Sequence, residues 1–229
     1  MNEYDRGGPV RSVAVWDLPV RLFHWLLAAA VGTSWASGEF GWMRIHFLSG
    51  YLILTLLLFR LAWGFVGSRS ARFSDFLKGP GAAFAHLREL RSSGSHGHPV
   101  LGHNPLGGWM VAALLLVLSV QAGSGLFTSD DILVDGPLVA HAGSAVVKLL
   151  STVHRLAFNL ILAMVAVHVA VIAGYLLFRG ENLVRPMLTG RKIVPDGFTV
   201  DPPRQVGPLP AALVALIAVA LVAALVTAA

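Results

Sequence analysis

The stretch HRLAFNLILAMVAVH, His154 to His168, decides how this chain is read. Its two histidines stand fourteen residues apart inside a longer apolar run, Val146 to Phe178. At 3.6 residues per turn that spacing falls about 40° short of four full turns and rises about 21 Å, so both imidazoles face one way at two depths. A run of this length and apolarity suits a membrane-spanning helix. An ionisable side chain inside such a segment is costly and is by default a candidate functional group. Two further histidines, His24 and His46, lie in other apolar stretches.

Composition agrees with a membrane setting. Hydrophobic residues make up 55% of the 229, charged residues 13%, and the mean hydropathy is +0.70, values outside the range of ordinary soluble domains. The chain has no cysteine, which excludes disulfides, iron–sulfur clusters, thiolate-bound zinc and haem attached through a C-x-x-C-H motif. The formal charge of +5 does not point to nucleic acid, because the Lys and Arg residues gather in particular loops, where they set membrane orientation. The first apolar stretch, Leu18 to about Ala36, shows no convincing signal-peptide cleavage site and is expected to stay as a spanning helix.

The expected fold is an all-α integral membrane protein. Four stretches at about 19–37, 46–66, 106–127 and 146–178 can each cross a hydrocarbon core, and a fifth follows at 208–228. Trp16, Asp17 and Pro19 mark the entry to the first, and its expected end is Gly38. The short connection from Gly38 to Arg44 makes the first two helices antiparallel neighbours. Basic residues then orient the chain: Arg6, Arg11 and Arg21; Arg69, Arg72, Lys78, Arg88 and Arg91; Arg179, Arg185, Arg191, Lys192 and Arg204. The opposite loops carry mainly Glu39, Arg44, Asp130, Asp131 and Asp135. A cytoplasmic amino terminus and a periplasmic carboxyl terminus follow. Residues 1–18 are then a cytoplasmic segment, 19–178 a four-helix domain with a cytoplasmic loop at 67–105, 179–207 a second cytoplasmic loop, and 208–228 an additional C-terminal helix. Within the first loop, Ser74 to Leu90 reads as a surface helix and Ser92–His98 as flexible. The fifth segment, nearly all Ala, Val and Leu, reads as a packing or partner-docking helix.

This topology sorts the histidines by depth. His24 near the cytoplasmic side matches His168, and His46 near the outside matches His154. Each pair comes from two helices, as two axial ligands approaching opposite faces of a haem require. The reading is therefore two non-covalent b haems stacked in a four-helix bundle, His24 and His168 on the inner iron, His46 and His154 on the outer. Arg60, fourteen residues after His46, shares its face of the helix near the inner haem, where a propionate could pair with it. Arg155 adjoins His154 near the outer haem. For both, snorkelling towards lipid headgroups remains an alternative. Gly50 and Gly32 could admit a flat macrocycle near the backbone. His141 reads as a solvated loop residue, and His86, His96, His98 and His103 as loop histidines without a site.

Five pieces carry a resemblance: WDLPVRLFHW (Trp16 to Trp25), IHFLSGY (Ile45 to Tyr51), FRLAWGFVGSRSARF (Phe59 to Phe73), GHNPLGGW (Gly102 to Trp109) and HRLAFNLILAMVAVHV (His154 to Val169). Over most of residues 16–178 the chain resembles the bacterial cytochrome b561 and nickel–iron hydrogenase cytochrome b family of dihaem membrane proteins. The resemblance implies a four-helix core with two b haems ligated from its first, second and fourth helices, giving ligand roles to His24, His46, His154 and His168. It also implies electron exchange between the quinone pool of the bacterial inner membrane and a partner protein, such as a periplasmic c-type cytochrome or a hydrogenase subunit. The fifth segment and the Pro-rich loop 195–210 depart from the shortest members and leave the partner, and a homodimer, open. No acid/base pair stands out to place a quinone site or a catalytic residue. Two rivals are a self-sufficient quinol oxidase passing electrons to oxygen or superoxide, and a proton-coupled transporter using the histidines as a relay.

Overall fold

The structure, a computed structural model, describes residues 10–91, 101–130, 132, 134–195 and 203–228. The expectations at Arg6, Asp131, the Ser92–His98 tract with His96 and His98, and residues 196–202 of the Pro-rich loop lie outside the described residues.

In chain order the elements are strand β1 (Val10–Ala14), helices α1 (Leu18–Glu39), α2 (Met43–Val66), α3 (Phe73–Phe76), α4 (Pro80–Arg91), α5 (Pro105–Gly125), α6 (Ser144–Arg179) and α7 (Val184–Thr189), strand β2 (Arg191–Pro195) and helix α8 (Pro208–Thr227). Short 3-10 turns lie at Arg69–Ala71 and Val139–His141. The five long helices fall on the five apolar stretches. Four of them, α2, α5, α6 and α8, are long and apolar enough to cross a membrane. α1 has the length, 22 residues, but its Arg21, His24, Ser34, Ser37 and Glu39 leave it less apolar than those four. Leu149, Leu156, Leu160 and Val169 of α6 are exposed, an arrangement that costs free energy in water and none against lipid tails.

The chain divides into two compact units. One gathers Met1–Arg21, Trp63–Ala112 and Ala166–Gly207; the other gathers Leu22–Ala62, Ala113–Val165 and Pro208–Ala229. α1, α2, α5 and α6 each contribute a segment to both.

In the first unit, Asp17 starts α1. Its Oδ1 accepts from the Val20 N–H at 2.8 Å, satisfying one of the otherwise unpaired donors of the first turn, and its Oδ2 accepts from the Trp63 indole N–H at 3.0 Å. Asp17 is 2% exposed and Trp63 fully buried, so the carboxylate is enclosed with both oxygens bonded. An antiparallel ribbon joins β1 to β2 with Val10 opposite Pro195 and Ala14 opposite Arg191. It qualifies the all-α expectation and ties the segment before α1 to the loop after α6. Turn chemistry explains it: Gly190 closes α7 with φ +79°, and its carbonyl accepts from the N–H groups of Val15 and Trp16 at 2.8 and 3.1 Å. A Cβ at Gly190 would sit 2.9 Å from the Trp16 carbonyl oxygen. The expected surface helix at 74–90 is two helices, α3 and α4, because the residue before a proline is disfavoured in helical conformation and Gly79 precedes Pro80.

In the second unit, α1 and α2 are joined by only three residues, with Gly41 at φ +71°. α8 and α2 together line two open grooves, Tyr51, Thr55, Val219 and Val222 at one and Leu58, Ala62, Val214 and Ala218 at the other.

Candidate functional site

α6 buries a narrow stripe. Ala157 and Ile161 are buried, while His154, Met164, His168 and Tyr175 on the same face are half-buried and the residues between are mostly exposed. Positions three or four apart share a helix face, so the fourteen-residue spacing does place both histidines on the packed side. On α2, His46 shares the packed side with Ser49, Ile53, Arg60 and Trp63.

The second unit brings His46 and His154 together. Their ring centroids are 6.2 Å apart and their planes 80° from each other. Each ring is held by the main chain. His46 Nδ1 lies 2.8 Å from the Ser34 carbonyl oxygen, and His154 Nδ1 lies 2.9 Å from that of Gln121. A carbonyl can only accept, so both Nδ1 atoms carry the proton and both Nε2 atoms keep a lone pair, the tautomer a metal-binding imidazole needs. Two glycines complete the cradle: a Cβ at Gly38 would lie 3.2 Å from His46 Nδ1, and one at Gly125 would lie 2.9 Å from His154 Cε1.

This pair fits a haem iron. His46 and His154, imidazoles from two helices with centroids 6.2 Å apart and Nδ1 held on the main chain, would hold the group, which would supply one-electron redox chemistry. The Gln121 side-chain nitrogen stands 3.2 Å from His154 Nε2, where its amide donates to the lone pair. Gln121 Oε1 is buried with no hydrogen-bond partner among the described residues, a polar atom left over where a further group would sit. A Cβ at Gly32 or Gly50 would meet nothing within 4 Å, leaving the approach to both backbones open. Sequence reading missed Ser34, Gly38, Gln121 and Gly125. The one available signal was Gln121, a lone amide in the apolar run of α5.

The other candidates are more dispersed. His24 is half-buried on α1 in the second unit and His168 half-buried on α6 in the first. Arg60 is 2% exposed, which sets it apart from a snorkelling arginine. Arg155 is exposed and reaches Thr152 Oγ1 at 3.4 Å. His141 is exposed, as a loop residue should be. His86 and His103 correct the expectation of solvated loop histidines. His103 packs against Trp16 and Phe76 at centroid distances of 4.6 and 4.8 Å, and His86 hydrogen-bonds Tyr175.

The chain matches the family model described as prokaryotic cytochrome b561 over residues 15–190 and belongs to that family. It is 33% identical over 81 residues to the "Probable Ni/Fe-hydrogenase B-type cytochrome subunit" of Rhizobium leguminosarum bv. viciae, covering 27% of this chain and 34% of that protein. It is 32% identical over 82 residues to the "Probable Ni/Fe-hydrogenase 1 B-type cytochrome subunit" of Escherichia coli K12, covering 28% and 35%. These matches span about a third of the length of the curated relatives. No solved structure gives a match. Membership makes the chain a multi-pass membrane cytochrome of the b type.

Proposed function

We propose that this protein carries two b haems, each between two histidines, and moves electrons across the bacterial inner membrane between the quinone pool and a redox partner. The observation that carries the reading is the His46–His154 pair: two imidazoles from different helices, 6.2 Å apart, each with its Nδ1–H fixed on a backbone carbonyl. His24 and His168 are assigned the second haem on the matching cytoplasmic-side depth that the charge-derived topology gives them. A b haem held by two histidines would supply one-electron redox chemistry and would favour electron transfer over oxygen binding. This chain's residues orient the imidazoles, exclude water and set the potential through the apolar side chains around them.

Arg60, enclosed on the packed side of α2, is assigned to a propionate of the second haem, and Arg155, beside His154, to one of the first. α1 is proposed as the fifth crossing, with the amino terminus cytoplasmic and the carboxyl terminus periplasmic, because the basic loops fall on one side in that arrangement. The partner takes or supplies single electrons at the outer face; a hydrogenase-type subunit or a c-type cytochrome has the right chemistry, and the names of the relatives favour the first. The test is a reduced-minus-oxidised spectrum of the purified protein with a pyridine haemochrome count. Two low-spin b haems per chain are expected; a colourless protein, or one haem per chain, overturns the reading.

A further inference from the structure

Three polar side chains from three elements of the first unit meet at one phenol. Asn104 Nδ2 lies 2.8 Å from the Tyr175 hydroxyl oxygen, and His86 Nε2 lies 3.3 Å from it. The first comes from the start of α5, the second from α4, and Tyr175 from α6.

The cluster has a direction. Asn104 is the N-cap of α5: its Oδ1 accepts from the Gly107 N–H at 2.7 Å. With the oxygen committed there, the amide nitrogen must face Tyr175 and donate to it. A lone pair of the tyrosine oxygen is thereby taken, and in the tautomer that leaves His86 Nε2 unprotonated the tyrosine donates its own proton to that nitrogen. The sequence N–H to O–H to N is a polarised chain in which a proton arriving at the tyrosine oxygen displaces the resident one to the imidazole. Bonds of this kind strengthen one another outside bulk water.

Position gives the chain a use. Tyr175 follows His168 by seven residues, about 20° short of two turns and about 10.5 Å along the helix, so it shares the packed stripe of α6. A quinol oxidised beside His168 would give up two electrons, for which the haem assigned there would be the one-electron acceptor on the way to the partner. It also gives up two protons, which cannot remain in an apolar interior and must reach water. We propose that His86 and Tyr175 are the proton-transfer wall of a hydroquinone site, with Asn104 the positioning residue that sets its polarity. As each quinol O–H bond breaks, its proton bonds to the tyrosine oxygen, the tyrosine proton passes to His86 Nε2, and His86 on α4 releases it to the aqueous side. Two such passages and two one-electron departures convert the quinol to the quinone. The proposal rests on the quinone-linked reading above.

The test follows reduction of the haem-loaded full-length protein by duroquinol in stopped flow, reading haem absorbance. Relative to the wild type, Tyr175→Phe should be about ten- to a hundred-fold slower, within the span of general acid–base effects, and His86→Gln about ten-fold slower. Haem content and the dithionite-reduced spectrum should be unchanged in both. The double variant should be no slower than Tyr175→Phe alone, because the two residues act in series. Asn104→Asp keeps the cap oxygen and loses the donor, and should slow reduction with a larger solvent deuterium isotope effect than the wild type, which a merely structural change would leave unmoved. If Tyr175→Phe loses haem, His86→Gln, on a helix outside the long bundle helices, decides. Wild-type rates in the variants that retain haem overturn the proton relay and leave the quinone-linked reading standing. A wild-type protein that dithionite reduces and duroquinol does not overturns that reading and the relay with it.

Discussion

The unit holding His46 and His154 and the unit holding Asp17, Trp63 and Tyr175 fix their polar groups by different means. In the first case the acceptors are backbone carbonyls, those of Ser34 and Gln121, and the close neighbours are glycines 38 and 125. In the second, side chain bonds side chain: Asp17 to Trp63, and Asn104 to Tyr175 to His86. A carbonyl belongs to every residue, so the two Nδ1 bonds of the cradle tolerate exchange of the side chains around them wherever the helix path is kept, while the Gln121 amide at His154 Nε2 is the cradle's own side-chain contact. A side-chain network has no such tolerance and can be opened by one substitution.

Three experiments sharpen that contrast. The largest effect should come from the imidazoles themselves: His46→Ala and His154→Ala should each lower haem from two to one per chain and remove the same haem, identified by its midpoint in a redox titration. Loss of different haems from the two variants would break the pair. Next, Trp63→Ala should cost about 3–5 kcal/mol in thermal or denaturant unfolding, as large-to-small core substitutions do. Trp63→Phe, which keeps the packing and leaves Asp17 Oδ2 without its indole donor, should cost about 1–3 kcal/mol. Equal costs would mean that the hydrogen bond, not the ring volume, is what matters. The smallest effects should separate main chain from side chain at the cradle. Gly125→Ala, whose Cβ presses on His154, should shift the midpoint of that haem or weaken its retention, whereas Ser34→Ala keeps the carbonyl and should leave both unchanged. A Ser34→Ala midpoint displaced as far as that of Gly125→Ala would show that the hydroxyl, 3.4 Å from His46 Nδ1, holds the ring.

Much of the fold could be read in advance, because membrane helices write themselves in long apolar runs. The five stretches became α1, α2, α5, α6 and α8 with ends moved by a few residues, and the stripe on α6 follows from a spacing visible in the sequence. The meeting of His46 with His154 was legible for the same reason: two helices, one depth. What stayed hidden has a common cause. Ser34 and Gln121 act through their carbonyls, which no residue type advertises. Gly38 and Gly125 matter for what lies opposite them in space. The ribbon depends on pairing Val10–Ala14 with residues about 180 positions later, beyond the reach of local pattern. His86 and His103 looked like loop residues because their partners, Tyr175, Trp16 and Phe76, come from other parts of the chain.

That ribbon also sets an order of events during synthesis. β1 is made first among the described elements, but its hydrogen-bonding partner leaves the ribosome only after α1, α2, α5 and α6 have been made. Until then β1 has both edges open. Closing a loop of this length adds little entropy over a loop half as long, so the delay costs time more than stability. The Gly190 turn, bonded to Val15 and Trp16 beside the Asp17 cap, then joins the start of the first helix to the chain that follows the last helix of the four, a clasp that can fasten only after those helices have been made.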